Sequence, residues 1–158
     1  MKLPAHIQAF WAEFLAETGR EQDVTLYDVF HPDDNEQDAN ELAELVLRGK
    51  KKAIASLLWV YEKSGKRPPQ VGDLSVMTDW QGSPLCVIET SKVEIRAFED
   101  VDDEFASAEG EGDLSLEYWR DAHWSYFGRV CKRLARKRSP KMPIVYEHFR
   151  VVFVSPKG

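Results

Sequence analysis

Apolar residues fall at helical spacing in some stretches of this chain and concentrate in strand-like runs in others. Residues 5–17 place Ile7, Phe10, Trp11, Phe14 and Leu15 on one helical stripe, and Gly19 follows as a stop. Residues 20–36 are polar, carry Pro32 beside Asp33, Asp34 and Asn35, and read as a loop. A second helix fits 37–48, with Leu42, Leu45 and Val46 on its apolar side and Gly49 as a natural C-terminal stop. The run AIASLLWVYE (53–62) suits a helix or a buried strand equally. Two strands of an antiparallel hairpin fit 73–80 and 85–98, joined by a QGSP turn. A short helix fits 101–110 and the longest one fits 114–137, where Leu116, Trp119, His123, Phe127, Val130 and Leu134 recur on one side. The β-branched and aromatic run at 142–154 predicts a last strand. Strands do not alternate with helices as parallel units require. The pattern therefore predicts an α+β domain, an antiparallel sheet or small barrel flanked by helices.

Composition changes this picture little. The chain has 158 residues, 43% hydrophobic and 30% charged, which is one ordinary globular domain. No apolar run approaches the ~20 residues of a membrane helix. The amphipathic N-terminus carries Glu13, unlike a secretory signal, so a cytoplasmic protein is expected. Cys86 and Cys131 stand alone, without zinc spacing, and read as buried reduced thiols. Neither a metal nor a cofactor is expected.

Charge is more informative. The net charge is −6, but its distribution is segregated. Residues 99–113 hold eight acids and no base, whereas 129–141 hold seven bases and no acid. Lys50, Lys51 and Lys52 form a second basic spot after Gly49. Such segregation gives a basic face on an acidic protein, suited to phosphate or another anion, although lysines at a helix end are also ordinary solvated decoration. The GxxxxGK[ST] spacing of a nucleotide P-loop is absent. In AEGEGD (108–113), alternate glycines let the backbone hold Glu109, Glu111 and Asp113 in a tight loop. Trp119 and His123 share one helix face, more often core than site, yet His123 at a rim could exchange protons near neutrality. No GxSxG or other nucleophile signature is present.

Four segments, ELAELVLRGKKKAIASLLW (41–59), 69–98, FASAEGEGDLSLEYWRDAHWSYF (105–127) and YEHFRVVF (146–153), together resemble the ASCH superfamily in its larger bacterial branch. The resemblance implies a PUA-like fold, a small, strongly curved β-barrel with helices around a cleft. It divides the chain into an N-terminal helix and loop extension (1–36) and an ASCH domain (37–158). It implies RNA or a nucleotide-derived ligand as partner; neither a membrane nor a protein partner is expected. Superfamily amidohydrolases acting on acetylated cytidine use a Lys, a Thr three positions later and a distant Glu. Lys51 and Glu109 match, but Ile54 stands at the Thr position and has no hydroxyl to attack with. Other members are ribonucleases, a chemistry in which the substrate's 2′-OH attacks, a lysine stabilises the developing charge and an acid or histidine moves protons. The expected function is RNA binding with metal-independent cleavage. The alternatives are amidohydrolysis of an acetylated nucleoside and nucleotide binding without catalysis. Lys51 and Glu109, matched by the resemblance, are expected to act in catalysis with His123, and Lys50, Lys52, Ser56, Glu111, Asp113, Trp119 and Arg120 are expected to contact the ligand. The resemblance implies that Lys51 faces Glu109 across a cleft, with Trp119 and His123 lining its floor or rim. Glu109, taken as a loop carboxylate, is expected to tolerate Gln without loss of fold.

Overall fold

A computed structural model describes residues 3–156. Met1, Lys2, Lys157 and Gly158, at the outer limits of the two expected regions, lie outside the described residues. The elements run α1 (Ala5–Glu17), β1 (Asp28–Phe30), α2 (Glu36–Leu47), β2 (Ala53–Leu57), α3 (Leu58–Ser64), β3 (Leu74–Thr78), β4 (Pro84–Ala97), α4 (Asp103–Glu109), α5 (Leu116–Arg133) and β5 (Pro143–Val154). Helix starts are set by short polar side chains. Asn35, Asp102 and Ser115 accept from the backbone N–H groups of Asp38, Phe105 and Tyr118 at the heads of α2, α4 and α5. The run 53–62 divides between the two states that its composition allowed. Ala53–Leu57 pairs as a strand and Leu58 onward coils into α3, which ends at the left-handed Gly65.

The strands form one sheet in the order β1-β3-β4-β5-β2. Long β4 and β5 pair antiparallel along their lengths, with register shifts at Val87/Ile88 and Thr90/Lys92 that bend the sheet. β1 and β2 close its two ends without pairing to each other, so the sheet is a half-barrel within a PUA-like α+β fold. Three expectations need correction. The stretch 20–36 is not all loop, because Asp28–Phe30 pairs with β3. The sheet is mixed, because that pairing is parallel. Three residues are too few to show a period, and a parallel partner leaves no hairpin turn to find. The longest helix ends at Arg133, not 137, and Ala135 follows at φ +55°.

Three packed clusters hold the sheet and helices together. α4 and α5 bury Phe105, Trp119 and Phe127 against Leu57, Ile144 and Tyr146. α1 buries Ile7, Phe10 and Phe14 against Leu74, Val76 and Val87. α2 packs Ala43 and Val46 on Met77, Ile88 and Phe149. Between α2, α5 and the sheet a cleft of about 460 Å³ remains, and residues of all five strands reach it. No described helix is long and apolar enough to cross a membrane.

Candidate functional site

The site is built by the docking of two chain turns. After α2, Gly49 takes φ +75° and the N–H groups of Lys50 and Lys51 both donate to the Leu45 carbonyl, at 2.9 and 3.1 Å. The chain then meets the C-terminal end of α4, where the Lys52 N–H donates to the Ala108 carbonyl at 2.7 Å. Gly110 makes the approach possible. Its φ is +71°, and a Cβ there would lie 2.1 Å from the Lys50 carbonyl oxygen. This contact carries Glu109 to Lys51 across 58 positions of sequence.

Glu109 is not a loop carboxylate. It is the last residue of α4 and only 1% exposed. It accepts from the Lys51 ammonium, from Trp119 Nε1 at 3.2 Å and from His123 Nε2 at 3.2 Å. Lys51, 3% exposed, also donates to Glu111 at 2.8 Å. His123 stacks on Trp119 with ring centroids 4.0 Å apart and points Nδ1 at the Trp119 carbonyl, 2.9 Å away. Both ring nitrogens thus face acceptors, and only the imidazolium can donate to both.

The titrations follow from this geometry. Burial opposes charge on all four groups. For Lys51 it is outweighed by Glu109 and Glu111, so its pKa rises. For His123 it is outweighed by Glu109, so its pKa also rises. Glu109 is held well below the ordinary carboxylate range despite burial, by Lys51 and His123. Glu111 moves the other way: burial, with the neighbouring Glu109 charge, raises it against the pull of Lys51. A lysine held charged in this way is a poor base. Donor atoms of Glu109, Glu111 and His123 lie within 4.8 Å of one another, a spacing that would suit a metal. The Lys51 ammonium already bridges the two carboxylates, however, so a cation would have to displace it.

The other expected residues separate into two groups. Lys51, Ser56, Glu109, Glu111 and His123 line the cleft, and so does Ile54. Trp119 lies behind it, 2% exposed, as a hydrogen-bond donor to Glu109 rather than a floor residue. Lys50, Lys52, Asp113 and Arg120 are exposed and outside the cleft. The basic segment 129–141 borders a second, open groove of about 480 Å³ lined by Arg129, Lys132, Arg136 and Arg138, and Arg129 reaches both hollows. Arg129 is held by Asp34 at 3.0 Å, while Arg136 and Arg138 lie over Trp59 and Trp124 at 3.8 and 4.4 Å. Several cleft residues were not anticipated. Tyr126 follows His123 at helical spacing on α5, a signal the sequence carried. Glu147 also lines the cleft; its signal was the one acid of a largely apolar strand run, and burial pushes its carboxyl up to about 7.

A family model of the ASCH domain matches residues 28–153. The chain belongs to the ASCH domain family. Among solved structures, this ASCH domain is similar to one from Lactobacillus crispatus JV V101, with 37% identity, 97% of this chain and 98% of that one covered, and a TM-score of 0.89. It is similar also to protein EF3133 from Enterococcus faecalis V583, with 31% identity, 96% and 91% covered, and a TM-score of 0.88. No curated protein matches it.

Proposed function

We propose that this ASCH domain binds RNA by taking one nucleoside into the acidic cleft and holding phosphates outside it on the basic groove of α5. One observation carries the reading: the cationic group deepest in the cleft, Lys51, is already neutralised by Glu109 and Glu111. Other acids of the lining are Asp28, Asp33, Asp38, Glu41 and Glu147, against one further permanent cation, Arg129, itself paired with Asp34. Such a lining repels phosphate and offers acceptors to the N–H and O–H donors of a base or sugar. Tyr118, Tyr126, Leu42 and Leu45 supply flat and apolar surface for a ring. Arg129 joins this cleft to the groove carrying Lys132, Arg136 and Arg138, which suits a chain leaving the cleft with its phosphates.

The same pairing weighs against cleavage with Lys51 as the phosphorane-stabilising charge, since two carboxylates have already taken that charge. A second reading, hydrolysis of an acylated nucleoside, is favoured by one feature. The cleft holds carboxyls whose titrations are pushed apart, Glu109 down and Glu147 up to about 7, an arrangement that suits acid–base work. Ile54, in the cleft where the related amidohydrolases have Thr, leaves that reaction without its nucleophile. Fluorescence anisotropy of labelled single-stranded RNA at low salt tests the proposal. Binding that weakens steeply with salt, and is competed by free nucleosides, supports it. No binding, or competition by inorganic phosphate but not nucleosides, overturns it. Release of acetate from acetylated cytidine would establish the second reading instead.

A further inference from the structure

The end of the cleft formed by the sheet is lined by polar side chains with hydrogen-bonding capacity open to the hollow. Glu147 on β5 is 9% exposed. Its Oε2 accepts from the Thr90 hydroxyl at 2.6 Å, whereas Oε1 has no partner among the described residues and lies at the cleft. Ser75 on β3 is 5% exposed, lines the same cleft, and its hydroxyl has no partner among the described residues either. The hydroxyls of Ser56 and Tyr61 lie together beside them. Polar groups that line one hollow and are not tied up by the chain are open to water there, and a ligand with matching hydroxyls can replace that water.

Charge and chemistry narrow what that ligand group is. The groups facing Glu147 are Thr90 from β4, Asp28 from β1, Asp73 ahead of β3 and Tyr61 from α3. None is a cation, and Asp28 is engaged with Lys66 at 3.0 Å. A phosphate there would meet acids and hydroxyls, with the nearest cations, Lys66 and Arg67, already paired with Asp28 and Asp73. A pair of sugar hydroxyls, each able to donate and accept, matches a carboxyl oxygen set among hydroxyls. The apolar and aromatic lining lies toward α2 and α5, where Leu42, Leu45 and Tyr126 would hold the base.

We infer that Glu147, with Ser56, Ser75 and Tyr61, forms a subsite for the free 2′,3′-hydroxyl pair of a ribonucleoside. This rests on the nucleoside reading of the cleft and deepens it. The residue bound there is a free ribonucleoside or the unphosphorylated 3′ end of an RNA, because an internal nucleotide would bring its 3′-phosphate against Glu147. The carboxylate accepts more strongly than the acid, and burial places its titration at about 7. Affinity for the diol therefore rises as pH goes from 6 to 8 and then levels off.

The test is calorimetric titration of the protein with adenosine, cytidine, guanosine and uridine. The best of them is then compared with its 2′,3′-dideoxy and 3′-monophosphate forms. The dideoxy and 3′-phosphate forms should each bind about tenfold more weakly. Glu147→Gln should weaken the ribonucleoside by a similar factor, leave the dideoxy form unchanged and abolish the pH dependence. If that variant does not melt cooperatively, the ligand series on the unaltered protein decides alone. Equal binding of ribo, dideoxy and 3′-phosphate forms overturns the subsite while leaving nucleoside binding intact. Absence of binding by all four nucleosides overturns both.

Discussion

Replacing Glu109 by Gln should destabilise this protein substantially, because the carboxylate is an organising centre of the fold as well as of the cleft. The substitution keeps the shape and can still accept from Trp119, but it removes the charge that faces Lys51 and His123. Removing one partner of a buried ion pair costs about 3–5 kcal/mol, since the other charge stays buried and unpaired. Lys51 retains Glu111 at 2.8 Å, so the lower end of that range, about 3 kcal/mol, applies. For a domain of this size that lowers Tm by roughly 6–12 °C. The pH dependence identifies the cause. Glu109 has a folded pKa below its unfolded value, so its contribution is present above about pH 4.3 and is lost as pH falls through the folded value. Lys51 has a raised pKa, so its contribution is complete below about pH 10.4 and is lost as pH climbs through the folded value. The gap between the two proteins should narrow on the acid side, as pH falls below about 4.3, and persist up to pH 10, because the Lys51 contribution is lost only above about 10.4. Thermal melts monitored by circular dichroism from pH 3 to 10 measure it. A Glu109→Gln protein melting within 2 °C of the unaltered one at pH 7 (roughly 1 kcal/mol or less) would refute the view that this cluster is buried and organising.

Glu147 gives the opposite pH signature. Its folded pKa is raised from 4.5 to about 7, so its contribution is complete at acid pH, is lost as pH rises between those values, and changes little above. The loss is at most about 3 kcal/mol, and Glu147→Gln should flatten the stability curve between pH 5 and 8 in urea titrations. Gly110→Ala should cost about 2 kcal/mol or more, because its φ is +71° and the new Cβ would lie 2.1 Å from backbone, and the loss should appear as a lowered urea midpoint. Changing Lys132 and Arg136, which line the groove, together to Ala should weaken RNA binding across sequences and lower the salt slope by about 2, measured by anisotropy, with nucleoside affinity unchanged. An unaltered slope would remove the groove from the RNA path.

The sequence by itself determined the elements with strong local signals. The stripe of Ile7, Phe10 and Phe14, the Gly49 stop and the β-branched run of β5 all act within a few residues, so each is legible in one dimension. The division of 53–62 was not legible, because Ile54 and Leu57 suit either state until β5 offers its edge. The three-residue β1 was invisible for the same reason: its partner lies more than forty positions away. The site shows the same boundary. Lys51, Glu109, Glu111 and His123 could be named from their residue types and the family resemblance. Their roles could not, since nothing in the string GKKK says which lysine turns inward. Gly49 and Gly110 decide that, by letting the end of α2 and the end of α4 touch. Lys51 is thereby buried between two carboxylates while Lys50 and Lys52 stay in water, and a basic tripeptide that read as an anion site becomes the neutral floor of an acidic cleft. Charge along a chain is additive, but the field in a cleft depends on which charges are already paired and how far they are from water. Only the tertiary structure fixes both.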